Sequence, residues 1–372
     1  MGRCLLCQTD SPMISSGLGL CLQCIRKRPI EALKITGGMH ADSRDRFGLP
    51  AAPPNDLGGL QCGTCANDCR IGSGRKGFCG LVSNVDEKLV RYGGMAEKGV
   101  LQWYYDPLPT NCVAWWFCPG CTGAGYPKFA YRPGPEMGYV NLAVFYGACS
   151  YDCLFCQNWR YRSLSASRKP VMNAESLAGK VDEHVSCICY FGGDPSVQSP
   201  HALKTSEIAL ERAEKEGRIL RICWETNGYM TPASAEKAAK ISLDSGGVMK
   251  FDLKAWSEDL NKALCSVSNK PALENFRRIG QKFFRQRADL PVLTASTLLV
   301  PGYIDVEEVE KIANFIADID RRIPYTLLAF YPQYVMNDLP TTGRALAEDC
   351  YKIAKESGLE KVRMGNIGLI GD

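Results

Sequence analysis

From about residue 140 onward, short apolar runs alternate with amphipathic stretches, and this alternation limits what the second half of the chain can become. Strands are expected over 141–147, 186–191, 219–224, 248–253, 293–300 and 325–331. Helical patterns fall between them at 203–216, 231–245, 272–287 and 305–319, and after the last strand at 343–357. In 305–319, Val306, Val309, Ile312, Ala313 and Ile316 form one apolar stripe at helical spacing. Strand–helix alternation repeated six times builds a parallel sheet with helices outside. Six units are fewer than the eight that close a TIM barrel. The expected fold is therefore α/β, a partial (β/α)6 TIM-like barrel over residues 139–372, behind a Cys-rich N-terminal metal-binding region.

That region differs in texture. Residues 1–36 read as a zinc-knuckle-like CxxC/CxxC module and 37–59 as a linker rich in glycine, proline and alanine. Residues 60–138 form a Cys- and aromatic-rich region preceding the barrel. No run approaches the roughly 18 apolar residues of a membrane helix, and Cys4, Cys7 and Gln8 occupy the place of a signal peptide's apolar core. The expected location is the cytoplasm, with no membrane partner. In that reducing compartment the 19 cysteines, many at short paired spacings, mean metal or cluster ligands rather than disulfides. So many thiols also point to an anaerobic host. The net charge of +4 comes without a long single-sign block, and no nucleic-acid partner is expected.

Cys4, Cys7, Cys21 and Cys24 have the spacing of a four-thiolate structural zinc site. Cys62, Cys65, Cys69 and Cys79 also number four and suit either structural zinc or an auxiliary cluster. Cys112, Cys118 and Cys121 are free thiols, share a site with another cysteine or contact a cofactor. Cys187, Cys189, Cys223, Cys265 and Cys350 read as small core residues. Trp103, Tyr104, Tyr105, Trp115, Trp116 and Phe117 read as packing, or as flat surfaces for a planar cofactor or a substrate peptide. His40, His184 and His201 are expected to be solvated or capping, which leaves no histidine for general acid–base work. No catalytic side chain is expected beyond the cluster and its cofactor.

The chemistry-bearing segment is "ACSYDCLFCQNW", where Cys149, Cys153 and Cys156 are spaced C-x3-C-x2-C directly after the first expected strand. Loops after strands lie at the face where βα architectures bind substrates. Three thiolates are one short of a closed four-ligand site. A [4Fe–4S] cube held by three keeps one iron open, and Phe155 supplies an aromatic to shield it.

This segment resembles the radical S-adenosylmethionine (SAM) superfamily, and further motifs arrive in the family's order. "GGDP" (Gly192 to Pro195) is similar to its "GGEP" turn, with Asp194 in place of glutamate. "ETNG" (Glu225 to Gly228), "DLK" (Asp252 to Lys254), "SVSNKPALENF" (Ser266 to Phe276) and "LLVPGYID" (Leu298 to Asp305) resemble the pyruvate formate-lyase activase branch. "CGTCANDCRIGSGRKGFC" (Cys62 to Cys79), "FYPQYVMNDLPTT" (Phe330 to Thr342) and Gly365–Asn366 resemble the AmmeMemoRadiSam group, in which Tyr331 replaces a histidine. The resemblance covers about residues 60 to 366, while the insertion over 100–138 and the Cys4–Cys24 module have no counterpart in it.

The resemblance implies cofactor contacts by Gly192, Gly193, Asp194, Thr226, Asp252, Lys254 and Tyr331, with Lys254 pairing the methionine carboxylate. It implies reductive cleavage of SAM by an external one-electron reductant, and hydrogen abstraction by the 5′-deoxyadenosyl radical from an unactivated carbon of a protein substrate. Within protein modification, cobalamin-dependent C-methylation, of the kind used on methyl-coenzyme M reductase, is favoured over glycyl-radical activation. A corrinoid needs the extra wall that the cysteine- and aromatic-rich prelude would supply. A small-molecule radical enzyme and a non-catalytic zinc-binding adaptor are the other readings.

Overall fold

The computed structural model of the protein describes residues 1–372 and centres on one nine-stranded sheet. In chain order its strands are β1 (Gly99–Pro107), β2 (Val140–Tyr146), β3 (Val171–Met172), β4 (Val185–Gly192) and β5 (Arg221–Thr226). Then come β6 (Met249–Asp252), β7 (Leu293–Leu299), β8 (Tyr325–Ala329) and β9 (Val362–Gly365). The spatial order is β9-β8-β7-β6-β5-β4-β2-β1-β3. β2 and β4 to β9 are parallel, whereas β1 runs antiparallel to both β2 and β3. The outer strands β9 and β3 do not pair with each other, so the barrel is partial.

The expected strands match β2 and β4 to β8 within a few residues. β9 adds a seventh parallel strand; its sequence, "VRMG", is too short and too polar to stand out as an apolar run. β1 corrects the expectation that residues 60–138 only precede the barrel. Its register against β2 runs from Leu101↔Tyr146 to Pro107↔Val140, so the sheet begins well before residue 139.

Eight helices matter for the site: α1 (Leu22–Lys27), α2 (Pro29–Asp45), α3 (Ser199–Lys215), α4 (Pro232–Ser245), α5 (Glu258–Cys265), α6 (Lys270–Phe283), α7 (Val306–Ile319) and α8 (Arg344–Glu356). Their ends follow local chemistry. Thr231 accepts from the Ser234 N–H to start α4, and Asp305 accepts from the Glu308 N–H to start α7. Gly246, in the left-handed region, ends α4. The expected stripe of α7 is buried at Val309, Ile312, Ala313 and Ile316, each larger side chain contributing about 1.5–3 kcal/mol.

The expected linker over 37–59 is helical at its start, because α2 continues to Asp45. Nor is residue 36 a break in packing. Ile14, Leu18, Leu20 and Ile25 belong to the same buried core as the sheet. The Ser15 N–H donates to Tyr303 Oη at 3.0 Å, and Ser15 and Ser16 hydroxyls donate to Asp338 at 2.7 Å. Arg26 pairs with Asp305 at 2.7 Å and Glu308 at 3.2 Å. No helix is long and apolar enough to cross a membrane.

Alternation along β4 sorts its side chains. Tyr190 points to the helices, its hydroxyl 2.9 Å from Ser206 Oγ of α3, while Cys187, Cys189 and Phe191 face the interior. That inner face carries the site.

Candidate active site

After β2 the chain turns into the loop of Cys149, Cys153 and Cys156. Asp152 anchors this loop from within a fully buried position. It accepts from Arg162 Nε at 3.0 Å and Nη2 at 2.5 Å, and meets His40 Nδ1 at 2.9 Å and Arg44 Nη1 at 3.5 Å. Burial alone would raise its pKa; the His40 hydrogen bond and the two guanidinium groups outweigh that and hold the carboxyl well below the usual range. His40 is therefore not solvated: it is buried, with Nε2 3.1 Å from the Ala263 carbonyl. His201 also departs from expectation. It is buried between Tyr146 Oη at 2.8 Å and the Met172 carbonyl at 3.0 Å, and burial lowers its pKa to about 4. His184 is exposed, as expected.

The rest of the loop is tied through its backbone. The Asp152 and Leu154 N–H groups donate to the Cys265 and Leu264 carbonyls at 3.0 Å. The Leu154 carbonyl accepts from Val335 and Met336 at 3.0 and 3.1 Å. The segment Phe330–Thr342 thus braces the loop from outside, with Tyr334 stacked on Trp159.

The loop walls a cleft of about 170 Å³ at the C-terminal ends of the strands. Cys149, Cys153 and Cys156 line it together with Gly192, Gly193 and Asp194 after β4. Thr226, Asp252 and Lys254 line it too. Tyr331 does not join them: it is 53% exposed and lies outside the cleft.

Gly192 and Gly193 are demanded by the protein's own backbone. Gly192 has φ +105°, and a Cβ there would sit 2.6 Å from Tyr146 N; one at Gly193 would strike the Ala148 carbonyl. Asp194 is committed to the turn. Its carboxylate accepts from Asn227 N at 2.6 Å, Ser196 N at 2.7 Å and Thr226 Oγ1 at 3.2 Å, which locks the "GGDP" and "ETNG" turns together. Burial pushes its pKa up to about 6 against these donors.

Lys254 and Asp252 form an ion pair inside the cleft. Burial works against the ammonium, but Asp252 and Cys153 hold it charged well above its usual range. The second carboxylate oxygen, Asp252 Oδ1, is buried without a partner. A free acceptor beside a buried cation fits an amino-acid moiety, which brings an ammonium and a carboxylate to one place. The thiols fit a cluster rather than a single ion. A tetrahedral zinc about 2.3 Å from each sulfur needs a tight group. Cys4, Cys7, Cys21 and Cys24 form one, with all sulfurs within 4.8 Å of one another; Cys149, Cys153 and Cys156 do not, as suits thiolates that each bind a separate iron.

Cys62, Cys65, Cys69 and Cys79 likewise form no tight single-ion group. They flank the cysteine loop: Cys65 and Cys79 pack against the apolar group of Leu81, Val100, Ala148 and Val197, and Asn67 Nδ2 donates to the Ser150 carbonyl at 2.7 Å. Two further residues of the site carried no motif signal of their own. Lys250, buried on β6, pairs with Glu225 at 3.0 Å, and Ser296 joins them in the cleft wall. Only their parity on inward-facing strands could have marked them. Trp115 and Trp116 of the aromatic insertion lie outside the cleft. Arg363 of β9 covers the Trp115 ring at 4.2 Å.

Comparison with known proteins agrees with this geometry. Residues 143–316 match the family model "Radical SAM superfamily". The chain is 27% identical over 316 residues to the uncharacterised protein MJ0808 of Methanocaldococcus jannaschii, covering 83% of this chain and 81% of the relative. It is 28% identical over 197 residues to MJ1632 of the same organism, a relative named as a glycyl-radical enzyme activating enzyme, covering 52% of this chain and 70% of the relative. A domain of the pyruvate-formate lyase-activating enzyme from Bacteroides vulgatus superposes with a TM-score of 0.38 at 21% identity, over 48% of this chain and 98% of that one. With its cysteine loop after β2, its glycine turn after β4 and its lysine–aspartate pair at the end of β6, the chain carries a radical SAM domain over residues 143–316.

Proposed function

We propose that the protein is a radical SAM enzyme that abstracts hydrogen from an unactivated carbon of a protein substrate, in the manner of a glycyl-radical activating enzyme. The observation that carries this reading is the convergence, in one open cleft, of three separated thiols with a buried cation and an unpartnered carboxylate oxygen. Cys149, Cys153 and Cys156 would hold a [4Fe–4S] cluster, and Lys254 and Asp252 would receive the carboxylate and ammonium of SAM. When bound, these groups supply one-electron cleavage of the sulfonium carbon–sulfur bond. The protein's own work is to orient and to exclude. Lys254 fixes the amino-acid end, and Asp194 holds Thr226 and Asn227 in place. Phe155 and Phe191 keep water from the inner wall.

A polypeptide substrate suits a barrel whose edge strands do not meet. MJ1632's name supports the activating-enzyme version. The competing version, cobalamin-dependent C-methylation, calls for a wall that accepts a corrinoid. Trp103, Tyr104, Tyr105, Trp115, Trp116 and Phe117, the aromatics suited to form such a wall, do not line the cleft. Anaerobic reconstitution with cobalamin separates the two: the hydrogen-abstraction reading expects no corrinoid absorbance to remain after gel filtration, and stoichiometric retention would favour methylation. Cys4, Cys7, Cys21 and Cys24 are proposed to hold structural zinc.

A further inference from the structure

Below the cleft, on the same inner face of the sheet, lies a second, small cavity of about 40 Å³. Six thiols border it. Cys112, Cys118 and Cys121 come from the segment that follows β1, spaced C-x5-C-x2-C. Cys187 and Cys189 project inward from β4, and Cys223 from β5. Cys118 packs on one side against Leu108, Cys121 and Cys187, and on the other against the apolar group of Ala114, Phe117 and Val248 that Cys112 and Cys223 also meet. None of the six belongs to a tight single-ion group.

Cysteines that serve as small hydrophobes pack into filled interiors. These six also line one shared space, with Leu108, Ala114 and Val248 as its apolar walls, although Cys121 and Cys187 pack in an apolar cluster with Leu108. Two buried cations and a backbone N–H stand there as donors, each cation shared with a carboxylate, Lys250 with Glu225 and Arg221 with Glu136. Lys250, 3% exposed, directs Nζ to Cys189 Sγ at 3.2 Å. The Val248 N–H reaches Cys223 Sγ at 3.4 Å, and the buried Arg221 guanidinium completes the rim. An iron–sulfur cluster bound by four thiolates is an anion, so cations and N–H donors around its sulfurs stabilise it. The cavity also adjoins the site above. Lys250 lines both spaces, and Val113, next to Cys112, lines the cleft.

We propose that this cavity binds a second iron–sulfur cluster, held by Cys112, Cys118 and Cys121 with a fourth thiolate from Cys187, Cys189 or Cys223. The segment after β1 then carries three ligands into the lower barrel and closes over the cluster.

The direct test is iron-edge anomalous diffraction from crystals of the full chain, purified without oxygen and reconstituted with iron and sulfide. An iron peak within bonding distance of the Cys118 sulfur is expected. A cavity without iron, with zinc, or with a Cys118–Cys121 disulfide overturns the proposal, whatever occupies the Cys149–Cys156 loop. In solution, a chain already altered by C149A, C153A and C156A should lose one further cluster's iron and sulfide when C118S and C121S are added; unchanged iron would contradict it. Because those changes lie in the core, Lys250→Met gives an independent readout. Loss of the cation should lower the midpoint potential of the second cluster's signal, and an unshifted potential would count against the assignment.

Discussion

Lys254 sits among thiols and beside a carboxylate, and its burial makes its charge specific to whatever anion enters the cleft. Replacing it with methionine removes one charge-assisted contact, worth about 1.5–3 kcal/mol. Equilibrium dialysis should show SAM binding weakened about tenfold to a hundredfold, with cluster content unchanged; unaltered affinity would remove Lys254 from the binding role. His201 makes a pH-dependent prediction. Its folded pKa of about 4 lies below the ordinary 6.5, so the unfolded chain binds the proton more readily. Stability from this group is full above pH 6.5 and is lost as pH falls toward 4, about 2 kcal/mol of it between pH 7 and pH 5. Asp194, with its pKa raised to about 6, works in the opposite sense between pH 4 and 6, so the comparison must be with a variant. The urea midpoint of His201→Gln should fall less than that of the unaltered protein between those pH values; equal falls would contradict the assignment. At this scale the sequence made the thiols, Asp252 and Lys254 legible, because spacing and strand order mark them. It could not show that Asp194 is spent on backbone donors, or that Tyr331 lies outside the cleft, since both depend on contacts between distant segments.

Among elements, the cluster loop depends on a helix far away in sequence. α2 delivers His40 and Arg44 to Asp152, which also holds Arg162. Breaking a buried ion network by removing one partner costs about 3–5 kcal/mol. Asp152→Asn should lower unfolding stability by that amount and yield protein poor in iron at the Cys149 loop, as read by urea titration and iron analysis. Normal stability and iron content would mean the network does not position the loop. None of this was visible along the chain, where residues 37–59 read as a linker and His40 as a solvated side chain. The strand–helix alternation was legible because the apolar runs of β2, β4, β5, β7 and β8 are bounded by turns and helical stretches. β9 and β1 escaped for different reasons. One is too short and polar to stand out; the other is a mixed aromatic and polar strand whose role is set by its antiparallel partner.

As a whole molecule, the protein is an open seven-strand parallel array with its N-terminal cysteine module packed into the same core. The module touches the segments that brace the cluster loop, through Ser15 and Ser16 to Asp338 and through Tyr303. Structural zinc sites contribute folding energy directly. Cys21→Ser with Cys24→Ser should therefore remove one zinc per chain and lower the thermal midpoint of the entire protein in a single transition; a separate, early transition of the module alone would show it to be independent. The central claim is that the cleft keeps one iron corner vacant for SAM. It is tested most directly by giving the anaerobic, reconstituted protein SAM and dithionite and measuring 5′-deoxyadenosine by chromatography. The account predicts 5′-deoxyadenosine and methionine in equal amounts from the unaltered chain and none from a chain carrying C149A, C153A and C156A. Intact SAM in the first sample, or equal cleavage in both, would contradict it.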